Sequence, residues 1–246
     1  MKQKTKKPII ITVGNIKGGV GKTRIATGLA TMFAHDKKKV LLVDSDIQGS
    51  SLTYHKRRRD LADELEKDPS VKKELNLAYD RIPIFQCFQL RSTTIDKDLR
   101  DYDHDIIIVD AGGRDDEEFR ASVFAADFLI IPLKPAMDDY DQTLVTIGIW
   151  RKMLRTGKKI KAALVQNQLI PNKMVRFYAT FNELIHKVIK DNDLKQFSPI
   201  LQRLPYIESA SFGLNVNETS EEGYNKAAEE FTAFYKEVSR WVATKS

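Results

Sequence analysis

A short glycine-rich stretch, Gly14-Asn15-Ile16-Lys17-Gly18-Gly19-Val20-Gly21-Lys22-Thr23, limits what this chain can become more than any other segment. It follows the β-branched run Ile9–Val13 and opens onto an amphipathic stretch, Lys22–His35. A strand that turns through glycines into a helix aims several backbone N–H groups at one point. The helix N-terminus adds partial positive charge there, so the turn suits an anion. Lys22 is placed to reach the outer phosphates of a nucleotide, and the Thr23 hydroxyl to ligate Mg²⁺. The common form of this loop has glycine five residues before Gly21. Here that position is Ile16, and an extra lysine, Lys17, heads the loop.

The rest of the chain repeats the alternation of strand and helix. Ile9–Gly14, Val40–Asp44, Ile82–Phe85, Ile106–Asp110, Phe128–Pro132, Ala162–Gln166 and Ser198–Leu201 read as strands. Lys22–His35, Ser50–Glu66, Glu117–Ala125, Asp141–Thr156, Val175–Asp191 and Glu221–Thr244 read as helices. Several strands are almost wholly apolar, as strands covered on both faces should be. The pattern predicts an α/β chain: a doubly wound, mostly parallel sheet with helices on both faces. A single domain is expected over residues 1–246, with a flexible basic N-terminus over 1–8. Ligands of such sheets sit beyond the carboxyl ends of the strands.

Composition adds exclusions. Hydrophobic residues are 42% and charged residues 30% of the 246, ordinary for a globular domain. No apolar run approaches the roughly 18 residues of a membrane span. The single cysteine, Cys87, excludes an intrachain disulfide framework and points to a reducing cytosol. A net charge of +6 admits nucleic acid as a partner without identifying it.

Carboxylates close two of the predicted strands. Val40–Val43 runs into Asp44-Ser45-Asp46-Ile47-Gln48-Gly49, and Ile106–Val109 runs into Asp110-Ala111-Gly112-Gly113-Arg114-Asp115. Four apolar residues and then an acid, behind a phosphate loop, is a magnesium-binding pattern. Gly112 and Gly113 suit a loop that senses a terminal phosphate. Asp138 and Asp139 read as a solvated acidic turn, with a place lining a dimer face as the alternative. The last helix carries Phe231, Phe234, Tyr235, Val238 and Val242 at helical spacing and reads as docked on the core.

With Lys17-Gly-Gly-Val-Gly-Lys-Thr23, the chain resembles the ParA/MinD family of deviant Walker A ATPases, and among them the short ParA-type plasmid partition proteins. Later segments add to the likeness: Asp44-x-Asp46-Ile-Gln-Gly49, and Arg203-Leu-Pro205-Tyr206-Ile-Glu208 with Gly213 and Glu218. The resemblance implies a P-loop NTPase fold, ATP and Mg²⁺ as cofactors, and slow, partner-stimulated hydrolysis. By it, Lys17, Gly18, Gly19, Val20, Gly21, Lys22, Thr23 and Arg24 contact phosphates, with Arg24 standing where the family has a hydroxyl. Thr23, Asp44 and Asp110 hold the metal. Lys17, Lys22 and Asp46 are the catalytic set: Asp46 orients water, and Lys17 crosses a nucleotide-sandwiched dimer to the other subunit's phosphates.

Asn167 carries both a donor and an acceptor that match the adenine edge, and relatives place a similar group there. A backbone loop at Pro205 and Tyr206 flanks the base in the same picture. The implied partners are a second copy in an ATP-dependent homodimer, nonspecific DNA and a ParB-type centromere-binding protein, with no membrane contact. The setting is cytoplasmic and nucleoid-associated. Basic stretches at Lys56–Arg59, around Lys152–Lys161 and around Lys173–Lys190 are candidate DNA faces, with Lys173, Arg176 and Arg203 preferred. A positioning ATPase for another cargo, a protein cluster or the division machinery, is the alternative function.

Overall fold

The computed structural model describes residues 7–170 and 175–244. In chain order the elements are β1 (Ile9–Val13), α1 (Lys22–His35), β2 (Val40–Ser45), α2 (Ser50–Lys67), α3 (Ser70–Glu74), β3 (Gln86–Gln89), α4 (Ile95–Arg100), β4 (Ile106–Ala111) and α5 (Glu117–Ala125). They continue with β5 (Phe128–Leu133), α6 (Met137–Arg155), β6 (Lys161–Leu169), α7 (Val175–Asn192), β7 (Lys195–Gln196), β8 (Ile200–Leu201), α8 (Pro205–Ser211) and α9 (Asn225–Ala243). The strands lie in the order β3-β2-β4-β1-β5-β6-β7, and β8 pairs with β6. Every pairing between them is parallel.

Alternation along the central strands divides the core between the two faces of the sheet. Ile11, Val13, Leu42, Ile108, Phe128 and Ile130 pack with α1 and α9 residues such as Phe33, Phe231 and Phe234. Their neighbours in sequence point the other way. Ile10, Leu41, Ile107 and Val109 pack with Ile95 and Leu99 of α4. Leu129, Ile131 and Leu133 pack with Phe119, Trp150 and Phe181. Helices on both faces leave β2, β4 and β5 buried along their whole length.

Several boundaries differ from the sequence reading. The third strand is Gln86–Gln89, not Ile82–Phe85. Pro83 cannot donate to a ladder, and Ile82 and Phe85 are buried as part of a loop instead. Pro199 likewise shortens the last predicted strand, Ser198–Leu201, to β8, and an unpredicted short strand, β7, precedes it. α6 begins at Met137, earlier than expected, because Asp138 and Asp139 sit in its first turn and favour its positive end. Pro205 opens a helix, α8, rather than belonging to a loop. Pro8 is buried and its carbonyl accepts from Arg100 Nη1 at 3.2 Å, so the chain is tethered before β1 begins.

The stretch Lys56–Arg59 is not one solvated face. Arg58 is fully buried and binds Glu218, also fully buried, through two hydrogen bonds of 2.7 and 2.6 Å. Burial alone would raise the Glu218 carboxyl, but Arg58, His35 and the Asn215 N–H hold it well below its ordinary range. Gly213 lies in the left-handed region, and a Cβ there would stand 2.3 Å from the Arg58 nitrogen. The chain from Gly213 to Glu218 is thereby fastened to α2 and to the end of α1. Arg58→Ala strands a buried carboxylate and is expected to cost about 3–5 kcal/mol. Urea unfolding measures it, and a loss under about 1 kcal/mol contradicts the role.

Candidate nucleotide site

The carboxyl ends of three neighbouring strands meet. Val13 pairs in register with Asp110, and Asp110 with Asp44. The glycine-rich loop leaves β1 here and is fastened by Asn15, which is fully buried. The Asn15 side-chain NH₂ donates to the Pro132 carbonyl at 2.9 Å and to the Thr143 hydroxyl at 2.8 Å. Its Oδ1 accepts from the Lys17 N–H at 3.0 Å and from the Thr146 hydroxyl at 3.1 Å. Gly21 caps α1 with φ 87°. A Cβ there would lie 2.1 Å from Asn167 Nδ2, so both conformation and space demand glycine.

Lys22 is buried and its Nζ donates to the Lys17 carbonyl at 3.0 Å. Burial lowers its pKa, while Asp110 and Asp46 oppose that shift. Gly113, in the loop after β4, packs against the same ammonium: a Cβ there would meet Lys22 Nζ at 3.1 Å. Lys17 points elsewhere. Its Nζ lies 3.6 Å from Oδ1 of Asp139, whose side chain is only 6% exposed. Asp139 is therefore a buried partner of the loop, not a solvated turn residue, whereas Asp138 is exposed.

Asp110 Oδ2 accepts from the Thr23 hydroxyl at 2.7 Å and the Ser51 hydroxyl at 2.8 Å. Its Oδ1 is buried with no partner among the described residues. Burial pushes this carboxyl up to about 7. A partnerless carboxylate oxygen beside a threonine hydroxyl is the donor set a hard dication takes, so Thr23 and Asp110 fit Mg²⁺. No group of three or more His, Cys, Asp or Glu forms a metal cage among the described residues. Mg²⁺ typically binds few protein groups and completes its shell with phosphates and water. Asp44 is differently employed. Its Oδ1 accepts from the Asp46 N–H at 3.1 Å and its Oδ2 from the Leu52 N–H at 3.0 Å, so it shapes the turn into α2. Burial raises its pKa as well. Asp46 is half-buried and its Oδ1 accepts from the Gln48 N–H at 2.9 Å.

Beside the loop opens a cavity of about 400 Å³ that runs from Gly21 and Thr23 past Arg24 to Asn167, Gln168 and Tyr206. Asn167 donates its amide N–H to the Val20 carbonyl at 2.7 Å. That donor holds the phosphate loop, and the second N–H and the oxygen of the Asn167 amide remain for a base edge. Tyr206 lines the cavity but packs edge-on to Phe231, and its hydroxyl donates to the Ala227 carbonyl at 3.0 Å. Arg24 is half-buried, and burial lowers its pKa.

Arg203 is bound to Glu230, its Nε donating to Oε1 at 2.9 Å. Its charge is neutralised within the fold, and it lines this cavity rather than a free basic face. Lys173 lies outside the described residues, as does the side chain of Arg176. Asn15, Ser51, Tyr54, Gln168 and Gln202 were not anticipated from sequence. Asn15 had a local signal, a polar residue directly after an apolar strand; the others come together only through folding.

The family model for the CobQ/CobB/MinD/ParA nucleotide binding domain matches residues 11–239. The "Maintenance of carboxysome distribution protein A" of Halothiobacillus neapolitanus is 26% identical over 234 residues, 94% of this chain and 97% of that protein. Among solved structures, a Cyanothece McdA variant in complex with ATP superposes with TM-score 0.72 at 16% identity, covering 95% of this chain and 97% of the other. A putative plasmid partition protein of Borrelia burgdorferi bound to AMPPNP superposes with TM-score 0.64 at 18% identity, covering 94% and 100%.

Asp110 gives the site a pH signature. Between an unfolded pKa of about 4 and about 7, the ligand-free folded chain keeps a proton that the unfolded chain has released. Its contribution to stability is full below pH 4 and is lost as pH rises towards 7. Asp110→Asn should flatten that fall, by up to about 1.4 kcal/mol per pH unit. Urea unfolding of both proteins at pH 5, 6 and 7 reads the difference, and equal slopes contradict it.

Proposed function

The chain belongs to the CobQ/CobB/MinD/ParA family of nucleotide-binding domains, and from that premise we propose that it is an ATP-driven positioning switch of the DNA-partition type. The observation that carries this reading is the state of Lys17. It heads the phosphate loop, yet its ammonium is turned to Asp139 instead of into the cradle. The loop N–H groups and Lys22 suffice to hold phosphates in cis, which leaves Lys17 available for a partner's nucleotide. A cation given in trans to a transferring phosphate group acts as an arginine finger does.

In this mechanism Lys22 and the N–H groups from Gly18 to Arg24 bind the phosphates. Thr23 and Asp110 would hold Mg²⁺, which neutralises charge on the outer phosphates. Asp44 keeps the turn in which Asp46 stands, and Asp46 orients the attacking water. Two copies close face to face over their nucleotides, and Lys17 leaves Asp139 for the other subunit's phosphates. Ile47 and Met137 are exposed apolar side chains just beyond β2 and β5, suited to that face. The closed dimer holds nonspecific DNA, and a ParB-type partner releases it by stimulating hydrolysis, so the protein rides the nucleoid. No helix among the described residues is long and apolar enough to cross a membrane.

A second reading keeps the switch and changes the cargo. The Halothiobacillus relative, matched over nearly its whole length, is named for carboxysome distribution. A protein cluster therefore fits as cargo as well as a plasmid does. Deleting the gene distinguishes them: plasmid loss supports partition, and mispositioned clusters with stable plasmids support the second cargo.

Two variants test the switch itself. Lys17→Ala should bind ATP as a monomer, fail to dimerise and lose partner-stimulated turnover by roughly 10³ or more. Asp46→Ala should dimerise on ATP and stop hydrolysing. Sedimentation with ATP and Mg²⁺, paired with phosphate release, reads both. A normal Lys17→Ala dimer with normal turnover rejects the trans mechanism.

DNA binding should require ATP, ignore sequence and weaken with salt. With about six phosphates contacted, log K falls against log salt with a slope of about −5. Neutralising Lys173 and Arg176 together should reduce that slope by roughly two. Sequence-selective binding without nucleotide contradicts the proposal.

A further inference from the structure

β3 is the last strand on its side of the sheet, and among the described residues no strand pairs with its outer edge. The Leu90 N–H, just beyond β3, donates to the Asp44 carbonyl of β2 at 2.9 Å. Backbone groups alternate from side to side along a strand, so those of Phe88 and Gln86 also face β2. The N–H and C=O groups of Cys87 and Gln89 face outward. His55 closes the start of the edge, its Nε2 donating to the Phe85 carbonyl at 2.6 Å. Beyond that point the outward groups meet no strand, and such an edge is a template for one more. A groove of about 830 Å³ runs along it, over residues 84–88. Its walls come from both faces of the sheet. Cys87 turns to the face of α1, beside His55 and Arg59 of α2. Phe88 turns to the face of α4, with the Tyr102 ring 5.5 Å from its own. Ile84 and Tyr102 are exposed there.

Charge says what fits this edge. Lys38, Lys39 and Arg59 line the groove, and no Asp or Glu does. Lys39 is held by Asp103, whereas Lys38 and Arg59 make no ion pair among the described residues. Asp60 and Asp63 share a neighbouring hollow with Arg59 without pairing to it. Residues 1–6 of the chain carry lysines and no acid, so they do not match the groove. A second copy meeting edge to edge would bring the same cations together. We propose that the β3 edge takes an extended peptide of another protein, with acidic and apolar residues in alternation, as an additional strand. The period of two places its acids towards Arg59 on one face and its apolar residues on Phe88 and Tyr102 on the other. Main-chain bonds to Cys87 and Gln89 supply affinity, and the alternate side chains supply specificity. The proposal holds whether or not the chain binds a nucleotide.

Fluorescence anisotropy of a labelled peptide alternating glutamate with valine, titrated with the full chain, tests it. The peptide should bind and weaken with added salt, and a lysine–valine counterpart should not bind. N-methylating every second peptide amide removes main-chain donors without touching the protein, and should weaken binding at least about tenfold. Arg59→Glu should weaken it roughly five- to tenfold. Hydrogen exchange locates the peptide, since the Cys87 and Gln89 amides should exchange more slowly in its presence. Absence of binding overturns the proposal, as does equal binding of the N-methylated peptide or protection confined to other strands. Binding indifferent to both salt and Arg59→Glu overturns it too. If Cys87 and Gln89 become protected without peptide as protein concentration rises, a second copy is the occupant and the proposal falls.

Discussion

Asp44, Asp110 and Val13 stand side by side because β2, β4 and β1 are parallel and in register. Adjacent strands are about 4.8 Å apart, so two carboxylates are brought close at a place the helices keep dry. Burial raises the pKa of both. The hydrogen bonds that reach them come from Thr23, Ser51, Leu52 and Asp46, groups that carry no compensating cation. Lys22 is the nearby ammonium, and it is folded onto the Lys17 carbonyl. The metal end of the site is therefore short of compensating cations without ligand, and Asp110 meets that shortage by keeping its proton towards pH 7.

Elsewhere the molecule treats buried charge differently. Arg58 with Glu218, Arg100 with Asp127 and Arg203 with Glu230 are closed pairs that join distant segments. Lys17 with Asp139 is looser, at 3.6 Å and with the lysine 36% exposed. A loose pair at the rim can exchange its partner for a phosphate at small cost, whereas breaking a dry pair such as Arg58–Glu218 costs several kcal/mol. The fold thus separates charges that hold it together from charges left available to a ligand. That division places the movable groups on the loops at the carboxyl ends of the strands and the fixed ones behind them.

Much of this was legible along the chain. The glycine loop, the acid-terminated apolar strands and the helix periods of α1 and α5 are local patterns, and local sterics with alternating burial suffice to produce them. Boundaries failed where proline and tertiary packing competed with apolar content. Ile82–Phe85 is as apolar as a strand, but Pro83 makes it a loop that buries only Ile82 and Phe85, and Gln86–Gln89 takes the edge position. Met137 begins α6 because the acids that looked like a turn are favourable at a helix start.

The sequence by itself determined the sheet class, the anion-binding turn and the acids that face it, since each depends on residues within one strand, turn or helix. Only the tertiary structure decided which charges are compensated. Arg58 and Glu218 are 160 residues apart in the chain, and Lys17 meets Asp139 only because α6 packs beside the loop. Asn167 and Val20 are likewise joined across 147 residues, so the residue suited to reading a base also holds the phosphate loop. Spacing along a chain does not encode such pairings, because charge compensation depends on distance in space and on the exclusion of water, and both exist only after the layers have packed.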